Sequence, residues 1–121
     1  MHTINLEYTD VFDDNKIKKL IFSQHLINKD FNAKSLFALL VDGCSMQPVI
    51  NHKAVIVSDL SQKELEDESI YLLYYDDKMW VKKYKKENDT FISINPDYSH
   101  LVYKKDEIYL VAKVLLTFTN L

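Results

Sequence analysis

The sequence predicts a mainly-β domain, and three observations carry that expectation. Eight tyrosines and six phenylalanines accompany runs of Val and Ile, the side chains that fit a pleated, half-buried surface. The apolar residues fall in short runs of strand length bounded by turn signals. With one glycine and two prolines in 121 residues, the turns must rely on Asn and Asp. The length suits one domain, residues 1–121, and is enough to bury a real core.

The elements follow in order. Residues 1–15 are polar and acidic and read as an arm or a loosely attached strand. From Lys16 to Asp30 two patterns compete: Ile17, Leu20, Ile21 and Gln24 fit a helical stripe, while Lys19–Ser23 equally begins a strand. Leu36–Val41 reads as a buried strand that ends at the turn signal Asp42-Gly43. Beyond Pro48 and Val49-Ile50, the polar Asn51-His52-Lys53 leads into a second buried strand, Ala54–Val57. Ser58–Ser69 is polar and acidic, a surface loop with room for one helical turn. Ile70–Tyr75 and Lys78–Tyr84, separated by Asp76-Asp77, form the clearest hairpin. Glu87-Asn88-Asp89 turns into a strand over Thr90–Ile94, and Asn95-Pro96-Asp97-Tyr98 is a stiff loop. Ile108–Phe118, apolar on both faces and long for one strand, closes the chain.

Charge and composition narrow the partners. Fifteen lysines, no arginine and eighteen acids give a net charge of −3. There is no basic excess to hold a phosphate backbone, and the commonest reader of guanine is missing, so DNA binding by this chain alone is not expected. The single Cys44 excludes an internal disulfide framework and a multi-cysteine zinc site. His2, His25, His52 and His100 lack metal-ligand spacing, so neither a metal nor another cofactor is expected. The start MHTINLEYTDVFDD lacks the basic residues and apolar run of a signal peptide, and Leu36–Val41 is far short of a membrane span. The expectation is a cytoplasmic protein with no membrane partner.

One segment, Val41-Asp-Gly-Cys-Ser-Met-Gln-Pro48, stands out for its chemistry. A serine two residues after a glycine, at the mouth of a buried strand, exposes its hydroxyl on a turn whose N–H groups can face an oxyanion. Serine alone is a poor nucleophile and needs a base. The four histidines have no triad-like context, and the other solution is a lysine held neutral by desolvation. Alternation along Lys78–Tyr84 puts Trp80, Lys82 and Tyr84 on one face and Met79, Val81 and Lys83 on the other. Flanked by Trp and Tyr, Lys82 stands where burial would lower its pKa. The competing reading assigns it to an exposed run with Lys83, Lys85 and Lys86, and spacing leaves both open. Cys44 has no histidine positioned to activate it and reads as a small, half-buried residue.

Taken together, Gly43-Cys-Ser-Met-Gln-Pro48, then Val81-Lys-Lys83, then Ser93-Ile-Asn-Pro-Asp-Tyr98 resemble the LexA and phage CI repressor C-terminal domain, which UmuD proteins share. The motifs occur in the family's order, and with the closing apolar strand they cover roughly Leu36–Leu116; Phe22–Leu36 also resembles the lead-in of CI-type repressors. The resemblance implies a LexA/signal-peptidase-like fold of coiled and hairpin antiparallel strands with little helix. It implies Ser45 as nucleophile and Lys82 as general base, with Gly43, Cys44 and Met46 supporting the oxyanion turn. Pro48, Asn95, Pro96 and Tyr98 are expected to shape the cleft. By the same resemblance the domain is a homodimer, with Ile108–Phe118 part core and part dimer surface. Its self-cleavage is stimulated by the RecA filament in the SOS response and separates it from a DNA-binding headpiece.

This chain departs from the family pattern in three places. Cys44 stands where an acidic residue is common. His52-Lys53 takes the place of a Gly-Asp pair before the second strand. No Ala-Gly or Cys-Gly bond exists, because Gly43 is the only glycine. No helix-turn-helix headpiece is expected within these residues. Two function classes follow: a self-cleaving regulatory domain of a transcriptional repressor, or a dimerisation module without cleavage, with a UmuD-like mutagenesis protein as a variant of the second. Signal peptidase shares an S-M-x-P serine and a lysine base, but needs a membrane anchor that this sequence does not show.

Overall fold

The computed structural model describes residues 2–120. Among them nine strands and four single 3-10 turns follow one another, with no α-helix, as the composition led one to expect. Among the described residues no helix is long and apolar enough to cross a membrane.

Strands β1 (Thr3–Asp10) and β2 (Lys16–Ser23) pair antiparallel over their full length and form a separate two-stranded sheet. Of the two readings of residues 1–15, an arm or a loosely attached strand, the strand is therefore the one observed over Thr3–Asp10, and the ambiguous stretch after it is strand rather than helix. Ile17 and Ile21 explain the ambiguity, since residues four apart share a face in either structure. Here both point outward, 62% and 60% exposed. The inner face carries Ile4, Leu6, Leu20 and Phe22, which pack on Ile27, Leu36 and Val57 and fasten the hairpin to the rest of the molecule. At its tip Lys18 holds Asp10 at 2.7 Å and Asp13 at 3.0 Å, and Asp14 and Asn15 take the positive φ that the missing glycines would have taken.

The remaining strands are β3 (Leu36–Leu40), β4 (Val55–Asp59), β5 (Ile70–Tyr75), β6 (Lys78–Lys85), β7 (Thr90–Ile92), β8 (Val102–Lys104) and β9 (Tyr109–Phe118). They form one antiparallel sheet in the spatial order β3-β4-β9-β5-β6-β7-β8. The β5–β6 turn is Asp76-Asp77 with φ of 52° and 60°, the positive pair a two-residue primed turn demands. Strand β9 lies between β4 and β5, which is why it is apolar on both faces. One side joins Met46, Ile50, Ile56 and Leu72 through Ala112 and Val114, and the other meets the β1–β2 hairpin through Leu115, Leu116 and Phe118. Its register slips by one residue against Val57/Ser58 and again against Leu72/Leu73, bulges that bend it around this double core.

Several strand ends differ from the sequence reading by one residue, and two by two residues. The strand expected over Thr90–Ile94 ends at Ile92, and the short β8 was not anticipated. Ser58 and Asp59, read as loop, belong to β4 and are fully buried. Burial pushes the Asp59 carboxyl up, but hydrogen bonds from Ser61, Asn32 and Gln62 outweigh it and leave the group below its usual range. Those donors are the N–H of Asn32 (2.9 Å), the N–H and Oγ of Ser61 (2.9 and 2.7 Å) and Gln62 Nε2 (2.9 Å).

Candidate active site

The segment after β3 leaves the sheet once Val41 has made two last ladder bonds, 2.8 Å each, with Ala54 and Lys53. Gly43 follows with φ of +136°, a conformation L side chains rarely adopt, although a Cβ there would meet nothing within 4 Å. The glycine is thus required by the backbone and not by space. Three residues on, Met46 is 2% exposed and locks the turn into the core beside Ile50, whose N–H donates to the Met46 carbonyl at 2.9 Å. Half-buried Ser45 is held between these fixed points.

The Asn95 loop grips the same turn from the other side. Its N–H donates to the Ser45 carbonyl and its Nδ2 to the Cys44 carbonyl, both at 2.9 Å. Its Oδ1 meanwhile accepts from the Asp97 N–H at 3.0 Å, capping the 3-10 turn that Pro96 begins. Asn95 therefore acts on the site through the backbone. Tyr98 lines the adjoining cavity, whereas Pro48 is exposed and neither proline is in its wall. That cavity, of about 290 Å³, opens over Gly43, Cys44 and Ser45 and is walled by Leu39, Leu72, Met79, Trp80, Tyr98 and Leu101.

Lys82 comes to Ser45 from β6, 37 residues away in sequence, and its Nζ donates to Ser45 Oγ at 2.9 Å. It lies across from Tyr71 of β5, beside the aromatic cluster of Tyr71, Tyr84 and Phe91, and is fully buried. Trp80 adds its ring face 5.4 Å from Nζ. Lys83 and Lys85, by contrast, reach outward to Glu68, and among the described residues no carboxylate pairs with Lys82. Burial without a counter-charge pulls its pKa from 10.5 down to about 8. Of the two readings that spacing left open, the buried one holds.

One residue of this region was overlooked in the sequence. The Gly43 N–H donates to His52 Nδ1 at 2.9 Å, and nothing in the local spacing signals that contact. Cys44 is half-buried with a free thiol.

A family model described as Peptidase S24-like matches residues 5–115. A relative from Haemophilus influenzae, named as an uncharacterized HTH-type transcriptional regulator, is 42% identical over 48 residues, which are 40% of this chain and 20% of that protein. The match thus spans about a fifth of the relative's length. Because the family match covers residues 5–115, from within β1 into β9, and so nearly the whole chain, the chain belongs to the Peptidase S24-like family.

Proposed function

We propose that this chain is the regulatory C-terminal domain of a LexA/phage-CI-like transcriptional repressor, a dimerising module that cleaves a peptide bond with a Ser45–Lys82 dyad under RecA stimulation. The observation that carries the reading is the uncompensated burial of Lys82 with its Nζ 2.9 Å from Ser45 Oγ. A pKa of about 8 leaves roughly a tenth of the amine neutral at pH 7. In that fraction the contact reverses, and the Ser45 hydroxyl donates to the Nζ lone pair. As Oγ attacks a peptide carbonyl, Nζ takes its proton and becomes an ammonium, and the N–H groups of the turn hold the oxyanion. Because His52 already engages Gly43, those donors come from Cys44 to Met46. The ammonium then protonates the leaving amine, and the acyl-enzyme is hydrolysed by a water that the same amine deprotonates.

A second reading has its own observation. With Gly43 as the only glycine, the chain contains no Ala-Gly or Cys-Gly bond. That favours a dimerisation module, or a UmuD-like protein, that keeps the dyad without cutting residues 1–121.

An alkyl fluorophosphonate tests the dyad without needing the natural substrate, since Ser45 Oγ displaces fluoride and the proton passes to Lys82. The labelling rate should rise about tenfold from pH 7 to pH 9 and level off, half-maximal near pH 8. Ser45→Ala and Lys82→Ala should abolish it. A parent labelled no faster than these variants overturns the peptidase reading. If labelling is normal but alkaline incubation of the longer native protein yields no cut, the second reading stands.

A further inference from the structure

We propose that His52 is the positioning residue of the nucleophile turn. Its Nδ1 holds the Gly43 N–H, and with it the backbone that presents Ser45 to Lys82, while the tip of the β1–β2 hairpin holds the imidazole. This rests on the Ser45–Lys82 reading above and concerns a residue that the reaction itself does not use.

The turn is tied from two sides. Asn95 takes the carbonyls of Cys44 and Ser45, as described, and fixes the downstream half. Upstream, the ladder ends at Val41, and the next contact that restrains the backbone is the 2.9 Å bond from Gly43 N–H to His52 Nδ1. Gly43 is where such a tie matters most. A residue without a Cβ has the widest backbone freedom in the chain, and here it sits two positions before the serine at φ +136°. Small displacements of a reacting group are expensive in rate.

The ring is itself braced. Phe12, at the hairpin tip, stands edge-on to His52 with centroids 5.2 Å apart and planes at 76°. Lys53 Nζ lies 4.9 Å from the centroid of the same phenyl ring, so the residue next to His52 also contacts the hairpin tip. Asp42 Oδ1 lies 3.9 Å from Nδ1, on the donor side of the bond. An accepting Nδ1 puts the ring proton on Nε2. The arrangement joins three separate pieces of chain: the hairpin tip at Phe12, the turn at His52 and Lys53, and the serine turn at Gly43.

The lone glycine makes the test simple. Labelling with [15N]glycine gives one backbone amide signal, that of Gly43. In the parent this amide should exchange slowly with solvent. His52→Ala and His52→Gln should lose the protection. His52→Asn, whose Oδ1 can occupy the place of Nδ1, should keep it. Fluorophosphonate labelling of Ser45 should fall about tenfold in His52→Ala and His52→Gln and return to within about twofold of the parent in His52→Asn. His52→Phe, which keeps a ring against Phe12 but no acceptor, should behave like His52→Ala. The proposal is overturned if His52→Phe labels normally while His52→Asn does not, because the role is then packing. It is also overturned if Gly43 exchange is the same in the parent and His52→Ala. Failure of the parent to label at all would instead refute the Ser45–Lys82 reading, and the glycine signal would still decide the His52 bond.

Discussion

Replacing Lys82 by methionine removes the buried amine and keeps an unbranched side chain of similar length. The folded pKa of about 8 lies below the ordinary 10.5, so between these values the unfolded chain binds the extra proton and stability rises with pH. Below pH 8 both states are protonated and burial of the charge costs its full amount. At about 1.36 kcal/mol per pH unit, the gap from 10.5 to about 8 makes that cost roughly 3 kcal/mol at pH 7, about 2 at pH 9 and a few tenths at pH 10.5. Methionine escapes the cost but gives up the Ser45 hydrogen bond, worth about 1 kcal/mol. Lys82→Met should therefore be more stable than the parent by roughly 2 kcal/mol at pH 7, by about 1 at pH 9, and no more stable near pH 10.5. Urea denaturation of both proteins at the three pH values measures this, and the tyrosines, which titrate in both, cancel in the difference. A difference that does not change with pH would refute the argument, because Lys82 would then hold its proton as readily folded as unfolded.

Asn95→Ala should cost about 1–2 kcal/mol, since it removes both the cap on Asp97 and the donor to Cys44, and should slow labelling of Ser45. Asn95→Asp, which keeps only the cap, should regain most of the stability in urea denaturation but not the labelling rate. Asp59→Ala removes the acceptor of four donors, of which only Gln62 Nε2 keeps another partner, the Asp30 carbonyl, and should cost roughly 3 kcal/mol at pH 7. Because the Asp59 pKa is lowered from 3.8 on folding, its contribution is present above that value and lost as pH falls through the folded one. The gap between parent and variant should therefore be narrower at pH 3 than at pH 7, as unfolding curves at the two pH values would show; a constant gap would contradict it.

The readable parts of the fold are those whose cause is local. The β5–β6 hairpin could be placed because its alternation and its Asp-Asp turn lie within sixteen residues of sequence. Ser45 could be singled out because a glycine, a serine and a following apolar anchor lie within four positions of one another. By contrast, β1 and β2 were ambiguous because one strand's alternation gains meaning only from the partner and the core beneath it, here Phe22 on Ile27, Leu36 and Val57. Asp59 looked like loop because its four donors come from Asn32, Ser61 and Gln62, and a carboxylate's burial depends on who reaches it. His52 was silent for the same reason, its partner being a single backbone N–H brought close by the turn.

By itself, then, the sequence determined the mainly-β class, the turn chemistry and the serine beside its glycine, since each depends on neighbours in the chain. It could not decide which of five lysines between Lys78 and Lys86 loses its water. A lysine's pKa depends on the dielectric and charge around Nζ, and around Lys82 these are supplied by Tyr71 from β5, Trp80 two residues away and Ser45 from beyond β3, while Lys83 and Lys85 pair with Glu68 on the opposite face. Only the tertiary structure brings those groups together, and with them the difference between a solvated cation and a buried amine that gives up its proton more readily.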